Sequence, residues 1–332
     1  MLATQSRRQF VATLSLAGTA ALIGGSALAD EGPPETTAIR MAFYPNICLS
    51  PTLVAKDLLR AEGFTDIQYV KEWASFTVPE LVARGDVHFA STFAGTLIHH
   101  LDQGAPVTAL AGVHAGCYEL FAHAPIRTIS DLRGKSVAIQ ELNSDGHFYL
   151  AIMAANVGLD PQRDFNWVVN PDNPMQLFID KKVDAFLAFP PEPQELRARN
   201  IGRVIISTVS DKPWSQYLCC TLYGATDFVR KHPIATKRYL RAVLKAADYC
   251  ADNPRGVAQQ LTDAGFARFD YALQTLTEIQ YRNWRDFDPE DTIRFYALRL
   301  HEAGVIKSNP KKIIAQGTDW RFLNELKREL KV

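Results

Sequence analysis

The chain has 332 residues, 47% of them hydrophobic, with 36 basic against 36 acidic side chains. That length is enough for two lobes, each with a buried core. The balanced charge offers no basic surface for nucleic acid or an anionic membrane and sets both partner classes aside.

The first segment is an address rather than a domain. "SRRQF" carries the twin Arg7 and Arg8, a mildly apolar run rich in Ala, Gly and Thr follows, and Ala27-Leu28-Ala29 ends it in the small-x-small pattern that a signal peptidase cuts after. Residues 1–29 are therefore expected to be a Tat-type signal peptide that sends a soluble mature protein to the periplasm. The run is too short and too weakly apolar to span a ~30 Å hydrocarbon core. No Cys stands at the cut site to take a lipid. A polar leader over 30–38, "DEGPPETTA", leads to the first strand.

From there the apolar period switches repeatedly between 2 and about 3.6, the mark of alternating strands and helices. "AIRMAFY" alternates Ile39, Met41 and Phe43, and "SPTLVAKDLLRAEG" offers a Ser50 cap, Pro51 at the first helical position and Gly63 as a stop. "DIQYVKEW" reads as a strand, and "TVPELVARG" opens with a Thr77/Glu80 capping box. Strand "DVHFAST", helix "FAGTLIHHLDQG" and strands "VTALAGVHA" and "CYELFA" follow. At "TISDLRGKSVAIQ" the rhythm restarts: strands "NWVV", "DAFLAF" and "RVIIST" alternate with helices near 145–157, 173–182 and 191–200. "YLCCTLYGA" is a strand leading into a long helical tail. Two α/β units with a return to a helix-rich end predict two lobes joined by two crossings, near 123–130 and 213–222. The expected limits are 39–124 with 220–332 for lobe 1 and 125–219 for lobe 2.

Several chemistries lack their motif. Gly134-Lys135-Ser136 resembles a P-loop end, but position 129 is Ile and the Lys precedes a strand, so no nucleotide loop forms. His99 and His100 are adjacent on a helix and point about 100° apart, which suits no shared metal. There is neither H-E-x-x-H nor G-x-S-x-G, so no metal, cofactor or nucleophilic catalysis is expected. Of the five cysteines, Cys219 and Cys220 could bridge each other only through a strained ring; buried free thiols are expected at Cys48, Cys117, Cys219, Cys220 and Cys250.

The polar turns after strands carry the functional reading, because ligands of open α/β sheets sit beyond the carboxyl ends of strands. Five turns qualify: "YPNI" with Asn46, "ASTFAG" with Ser91 and Thr92, "HAGC" with His114 and Cys117, "NSDGH" with Asn143, Ser144 and His147, and "FPPEP" with Phe189 and Glu192. Drawn from both lobes, they would face one cleft. Tyr44, Phe93, Phe189, Trp214 and Tyr217 lie in or beside these turns and could stack on a flat ligand. No Arg stands in the five turns, which weighs against a bidentate clamp on an anion. Ser144 and the N–H groups after it are expected to hold a polar edge of the ligand.

With "DVHFASTFAG", "IRTISDLRGKSVAI", "AIMAANVGLDP", "KKVDAFLAFPPEPQEL", "TLYGATDFVRKHP" and "TDWRFLNEL", the mature chain resembles the SsuA/THI5 (NMT1-like) periplasmic substrate-binding proteins of ABC importers along essentially its whole length. The resemblance implies a type II periplasmic-binding-protein fold: α/β, two lobes, each a sheet flanked by helices, closing on a small-molecule ligand. It implies a monomer, without cofactor, that docks on an inner-membrane permease served by an ATPase. By position the family's ligand-contact turns fall on Asn46, Ser91 and Thr92, the Gly116–Cys117 region, Asn143 and Ser144, and Glu192. Many relatives show Gly-Ser at the lobe-2 turn and Trp before the Glu, where this chain has "NSDG" and "FPPE". Nitrate, a sulfonate, an aromatic carboxylate and a thiamine-type pyrimidine therefore all stay open as ligands. The same family has a fungal branch that makes a thiamine pyrimidine and carries a Cys-rich patch near the place of "YLCCTLYG", so an enzyme is the alternative. A sensor presenting its ligand to a membrane receptor is a third reading.

Overall fold

Strands that are covered on both faces read as near-continuous apolar runs, and two such runs, "VTALAGVHA" and "LCCTLYGA", form strands here. The structure, a computed structural model, describes residues 31–44, 46–71 and 77–330. The signal peptide assigned to 1–29 lies outside them, as do Pro45 of the first turn and Glu72 and Trp73 of the second expected strand.

The strands are β1 (Ala38–Ala42), β2 (Asp66–Val70), β3 (Phe89–Phe93), β4 (Val107–Ala115), β5 (Glu119–Ala122), β6 (Lys135–Ile139), β7 (Phe165–Val169), β8 (Ala185–Ala188), β9 (Arg203–Ser207) and β10 (Leu218–Ala225). They form two five-stranded sheets, ordered β2-β1-β3-β10-β4 and β7-β6-β8-β5-β9. In the first, β1 runs parallel to β2 and β3 while β10 is antiparallel to β3 and β4; in the second, β6 runs parallel to β7 and β8 while β5 is antiparallel to β8 and β9. Every residue of β4 and of β10 is buried, as their uninterrupted sequences require. The helices that bear on the site are α1 (Val78–Ala83), α2 (Ala94–Asp102), α3 (Asp145–Asn156), α4 (Glu192–Ala198), α5 (Pro233–Asp252), α6 (Phe269–Glu278) and α7 (Pro289–Glu302). Among the described residues no helix is long and apolar enough to cross a membrane.

The chain changes sheets twice. The first passage, 116–118, lies upstream of the 123–130 window expected from sequence, because Glu119–Ala122 already pairs with β8 and β9. The second occupies 208–217, overlapping the expected window. The two passages lie against each other: Thr208 N and Oγ1 both donate to the Tyr118 carbonyl at 2.9 Å, and Tyr118 N donates to Thr208 Oγ1 at 2.9 Å. Gly116 is required there, since a Cβ would overlap the Thr208 carbonyl.

One local expectation is corrected. Ser50 does not cap its helix; its hydroxyl donates to the Ile47 carbonyl at 2.5 Å. Asn46 caps instead, accepting from Cys48 N at 3.1 Å and starting a short 3-10 turn over Ile47–Leu49 ahead of the helix. The Thr77/Glu80 capping box forms as expected, with Thr77 N donating to Glu80 at 2.6 Å.

The main core runs through both sheets. At its centre Phe93 at the end of β3 stacks on Tyr149 of α3, with centroids 4.3 Å apart. Tyr149 meets Trp214 edge-on at 5.9 Å, and its hydroxyl lies 3.3 Å from that of Tyr296 on α7. Each such aromatic pair adds about 0.5–1.5 kcal/mol beyond its area burial. Trp214 and Tyr217 are thereby spent on packing: Tyr217 stacks on Phe295 at 3.9 Å.

Candidate functional site

A cavity of about 650 Å³ opens where the carboxyl ends of the parallel strands of both sheets converge, the place this architecture reserves for ligands. Its walls follow from chain order. Tyr44 and Asn46 come after β1, the α1 start after β2, Thr92 and Thr96 from the β3–α2 junction, 140–146 after β6, 172–174 after β7, and Phe189 and Glu192 after β8.

The polar group with the most partners on the wall is Asp145, the first residue of α3. Its Oδ1 accepts from Thr92 Oγ1 at 3.2 Å and from Thr96 Oγ1, and the carboxylate also accepts from Phe93 N–H. Loss of water around it pushes its pKa up to about 6, a rise that the two threonine hydroxyls and the Phe93 N–H hold back. Across the cavity Glu192, the first residue of α4, accepts from Phe189 N at 3.0 Å. Burial, with the Glu195 carboxylate nearby, pushes its pKa up to about 8. At neutral pH Asp145 is therefore ionised while Glu192 keeps its proton.

The remaining lining is acidic, amide-bearing and aromatic. Glu80, Glu141 and Asp172 add carboxylates, and among the described residues no Lys or Arg lines the cavity. His100 is present, but burial first and its neighbour His99 second lower its pKa, so it faces the cavity uncharged. Tyr44, Tyr118 and Phe189 supply aromatic surface, with Tyr118 and Phe189 centroids 6.1 Å apart. Such a lining accepts hydrogen bonds from a ligand's N–H groups and repels an anion.

Of the residues expected at the site, the structure brings Asn46, Thr92, Asn143, Ser144, Phe189 and Glu192 to the cavity wall. Ser91 points the other way, because successive strand residues face opposite sides; its hydroxyl is buried without a hydrogen-bond partner. His147 is turned aside: Nδ1 accepts from Asn143 N at 3.1 Å and the ring meets Trp167 edge-on at 4.9 Å. His114 and Cys117 are fully buried with other thiols, off the cavity wall. The role expected of Ser144 also changes. Its hydroxyl donates to the Glu141 carbonyl at 2.8 Å and accepts from His147 N at 3.3 Å, so it is used up as the α3 cap. The turn at 143–146 instead presents Asp145.

Sequence reasoning passed over Asp145, Thr96, Glu80 and His100. A signal existed for the first: an acidic residue at a helix start, directly after a strand-to-helix turn. For Thr96 the only signal was its place in the first turn of the helix that follows Thr92 and its strand.

The family model described as NMT1/THI5 like matches residues 53–257. No curated protein sequence matches the chain. Among solved structures it is similar to the periplasmic nitrate-binding protein NrtA from Synechocystis PCC 6803, at 18% identity and TM-score 0.73, over 91% of each chain. It is similar to the alkanesulfonate-binding protein SsuA from Xanthomonas axonopodis pv. citri bound to MOPS, at 16% identity and TM-score 0.70, over 86% of this chain and 99% of that one. The periplasmic sulfonate-binding protein SsuA from Methylobacillus flagellatus KT matches at 19% identity and TM-score 0.68, over 89% of this chain and 94% of that one. The α/β fold with two helix-flanked mixed sheets is thus that of periplasmic binding proteins.

Proposed function

Because this chain belongs to the NMT1/THI5-like family, we propose that it is the solute-binding component of an ABC import system, selective for a small nitrogen-bearing ligand with N–H groups to donate. An amino-substituted heterocycle such as a thiamine-type pyrimidine, or a protonated amine, fits that description; nitrate and sulfonates do not. The observation that carries the reading is Asp145 on the wall of a cavity that no Lys or Arg lines among the described residues. An oxyanion placed there would meet carboxylates and no cation to offset them.

In this reading the mature protein, exported by way of the 1–29 leader, is a monomer that works in the periplasm without chemistry on its ligand. Two lobes, bounded at 115 and 218 rather than at the expected 124 and 220 because β5 pairs within the second sheet, close on the ligand about the paired passages at 116–118 and 208–217. Ligand contacts from both sides favour the closed form, which is what the permease recognises. Asp145 and Thr92 would grip the N–H edge, while Tyr44, Tyr118 and Phe189 hold its flat face.

The test is a thermal-shift screen of the mature protein, since a ligand that binds only the folded state raises its melting temperature. Aminopyrimidines or small amines are expected to raise it, and nitrate and alkanesulfonates to leave it unmoved. A clear rise with nitrate or a sulfonate alone would overturn the ligand class.

A further inference from the structure

Four of the five cysteines and one histidine form a buried cluster. The donor atoms of Cys48, His114 and Cys220 all lie within 4.8 Å of one another, and all three residues are buried. Cys117 interacts through its thiol with those of Cys48, Cys219 and Cys220, and its Sγ is 3.8 Å from Cys219 Sγ. Three separate segments supply these residues. Cys48 lies on the 3-10 turn after β1, and His114 and Cys117 at and beyond the end of β4. Cys220 lies near the start of β10, directly opposite His114 in the β4–β10 register. That register is irregular on either side of Cys220, and such irregularities re-aim side chains.

His114 is prepared as a ligand. Its Nδ1 lies 2.6 Å from the Ala115 carbonyl, to which it donates, and this places the lone pair on Nε2. Nε2 makes no hydrogen bond of ordinary geometry although the residue is 0% exposed, and apart from the Ala115 carbonyl the group that acts on the ring is the Cys220 thiol. A buried imidazole nitrogen left without a partner costs free energy unless something fills the position. A ring N–H tied to a backbone carbonyl, with the other nitrogen free, is the arrangement that metal-ligating histidines adopt. The ring is also held edge-on by Tyr281, at 5.6 Å.

We propose that this cluster is a zinc site, with Cys48, His114 and Cys220 as ligands and Cys117 placed to supply the fourth. Thiolates with one imidazole select a thiophilic d10 ion over magnesium, calcium or manganese. Tetrahedral zinc, with Zn–S near ~2.3 Å and Zn–N near ~2.0 Å, needs donors about 3.5–3.8 Å apart. The observed spacing closes to that by small side-chain rotations. Each cysteine that binds gives up its thiol proton, so two or three thiolates offset the dication. None of the four residues is more than 4% exposed, which leaves no path for a water ligand and makes the site closed and structural. It would tie the turn bearing Asn46 to β4 and β10, independently of what the cavity holds.

The experiment uses the full mature chain, purified under reducing conditions without chelator, with metal content measured by mass spectrometry. One zinc per chain is expected. The apo protein refilled with cobalt(II) should show a thiolate-to-cobalt charge-transfer band together with the visible bands of a tetrahedral ion. Cys220→Ser and His114→Ala should lose the metal, and Cys250→Ser, outside the cluster, should keep it. Folded, metal-free wild-type protein that also fails to take up cobalt would overturn the proposal, whether its thiols are all free or Cys117 and Cys219 are joined in a disulfide. So would copper in place of zinc, or zinc that survives both ligand substitutions. If a ligand variant fails to fold, the wild-type zinc content and cobalt spectrum still decide.

Discussion

Thr92 Oγ1 lies 3.2 Å from Asp145 Oδ1, joining the end of β3 in the first sheet to the helix that follows β6 in the second, 53 residues further along the chain. Thr96, in the first turn of the helix that follows β3, holds the same oxygen. The pair therefore does two things at once: it orients the acceptor on the wall of the cavity, and it links elements from the two sheets. Asp145→Asn is close to isosteric and keeps an oxygen for both threonines, while it removes the charge and turns the second acceptor oxygen into an N–H donor. It should fold normally and bind an N–H-donating ligand at least about tenfold more weakly, a loss of ~1.4 kcal/mol or more. Isothermal titration of the ligand found by thermal shift would show this; unchanged affinity would remove Asp145 from the site.

The same carboxyl makes binding depend on pH. Its pKa in the folded protein is raised to about 6 from the ordinary 3.8. The folded, unliganded protein thus binds the proton more tightly than the unfolded chain does. This stability contribution is fully present below about 3.8 and is lost as pH rises through about 6. Glu192 acts in the same sense at higher pH, its contribution being lost as pH rises through about 8. A ligand that donates N–H groups prefers the ionised form, so its affinity should move oppositely, strengthening from pH 5 to pH 7 and then levelling. Titrations across that interval would show the step in wild-type protein and its absence in Asp145→Asn.

Away from the cavity, Arg197 on α4 pairs with two carboxylates at once. It bonds Glu119 on β5, and its Nη2 lies 2.8 Å from both oxygens of Glu278 on α6. Gln194 adds a bond to Glu278 at 3.0 Å. Glu119 is 6% exposed, and burial lifts its pKa to about 7 against the pull of Arg197. Arg197→Ala leaves that carboxyl without its cation, and a loss of about 1–3 kcal/mol in unfolding free energy is expected. The loss should be larger at pH 8 than at pH 5, where Glu119 already carries its proton. Urea unfolding at the two pH values would measure it.

Much of the fold could be read from sequence because its signals are local. "VTALAGVHA" and "YLCCTLYGA" are unbroken apolar runs and became the buried strands β4 and β10. The Thr77/Glu80 box needs only four residues and forms as expected. The site was legible at the level of turns, since strand ends place loops on one side, but not at the level of side chains. Ser91 and Thr92 are adjacent in a strand, so only one could face the cavity, and the pleat's phase depends on pairing with β10. Ser144 and His147 looked like ligand groups because both are polar and close to a helix start. Their own helix uses both of them, which a sequence cannot distinguish from waiting for a ligand. Cys48, His114 and Cys220 are far apart in sequence; the β4–β10 register sets Cys220 opposite His114, and the 3-10 turn after β1 brings Cys48 to them.

The proposed closure about the paired passages rests on how closely they approach. Gly116 lies so near the Thr208 carbonyl that any side chain would collide with backbone, and backbone cannot swing aside as a flexible side chain can. Gly116→Ala must push 116–118 away from Thr208. That strains the bonds which Thr208 makes to Tyr118 N and O. Each buried backbone group left unpaired costs about 1–3 kcal/mol, so a destabilisation of at least ~2 kcal/mol is expected. Gly146 gives the control: it is helical and has open space where a Cβ would go. Gly146→Ala should be neutral or add up to about 1 kcal/mol through helix propensity. Urea midpoints of the two variants would separate a hinge held by backbone contact from one that tolerates a methyl group. Equal midpoints would mean that the passages can part without cost, and the closing motion would then have to pivot elsewhere.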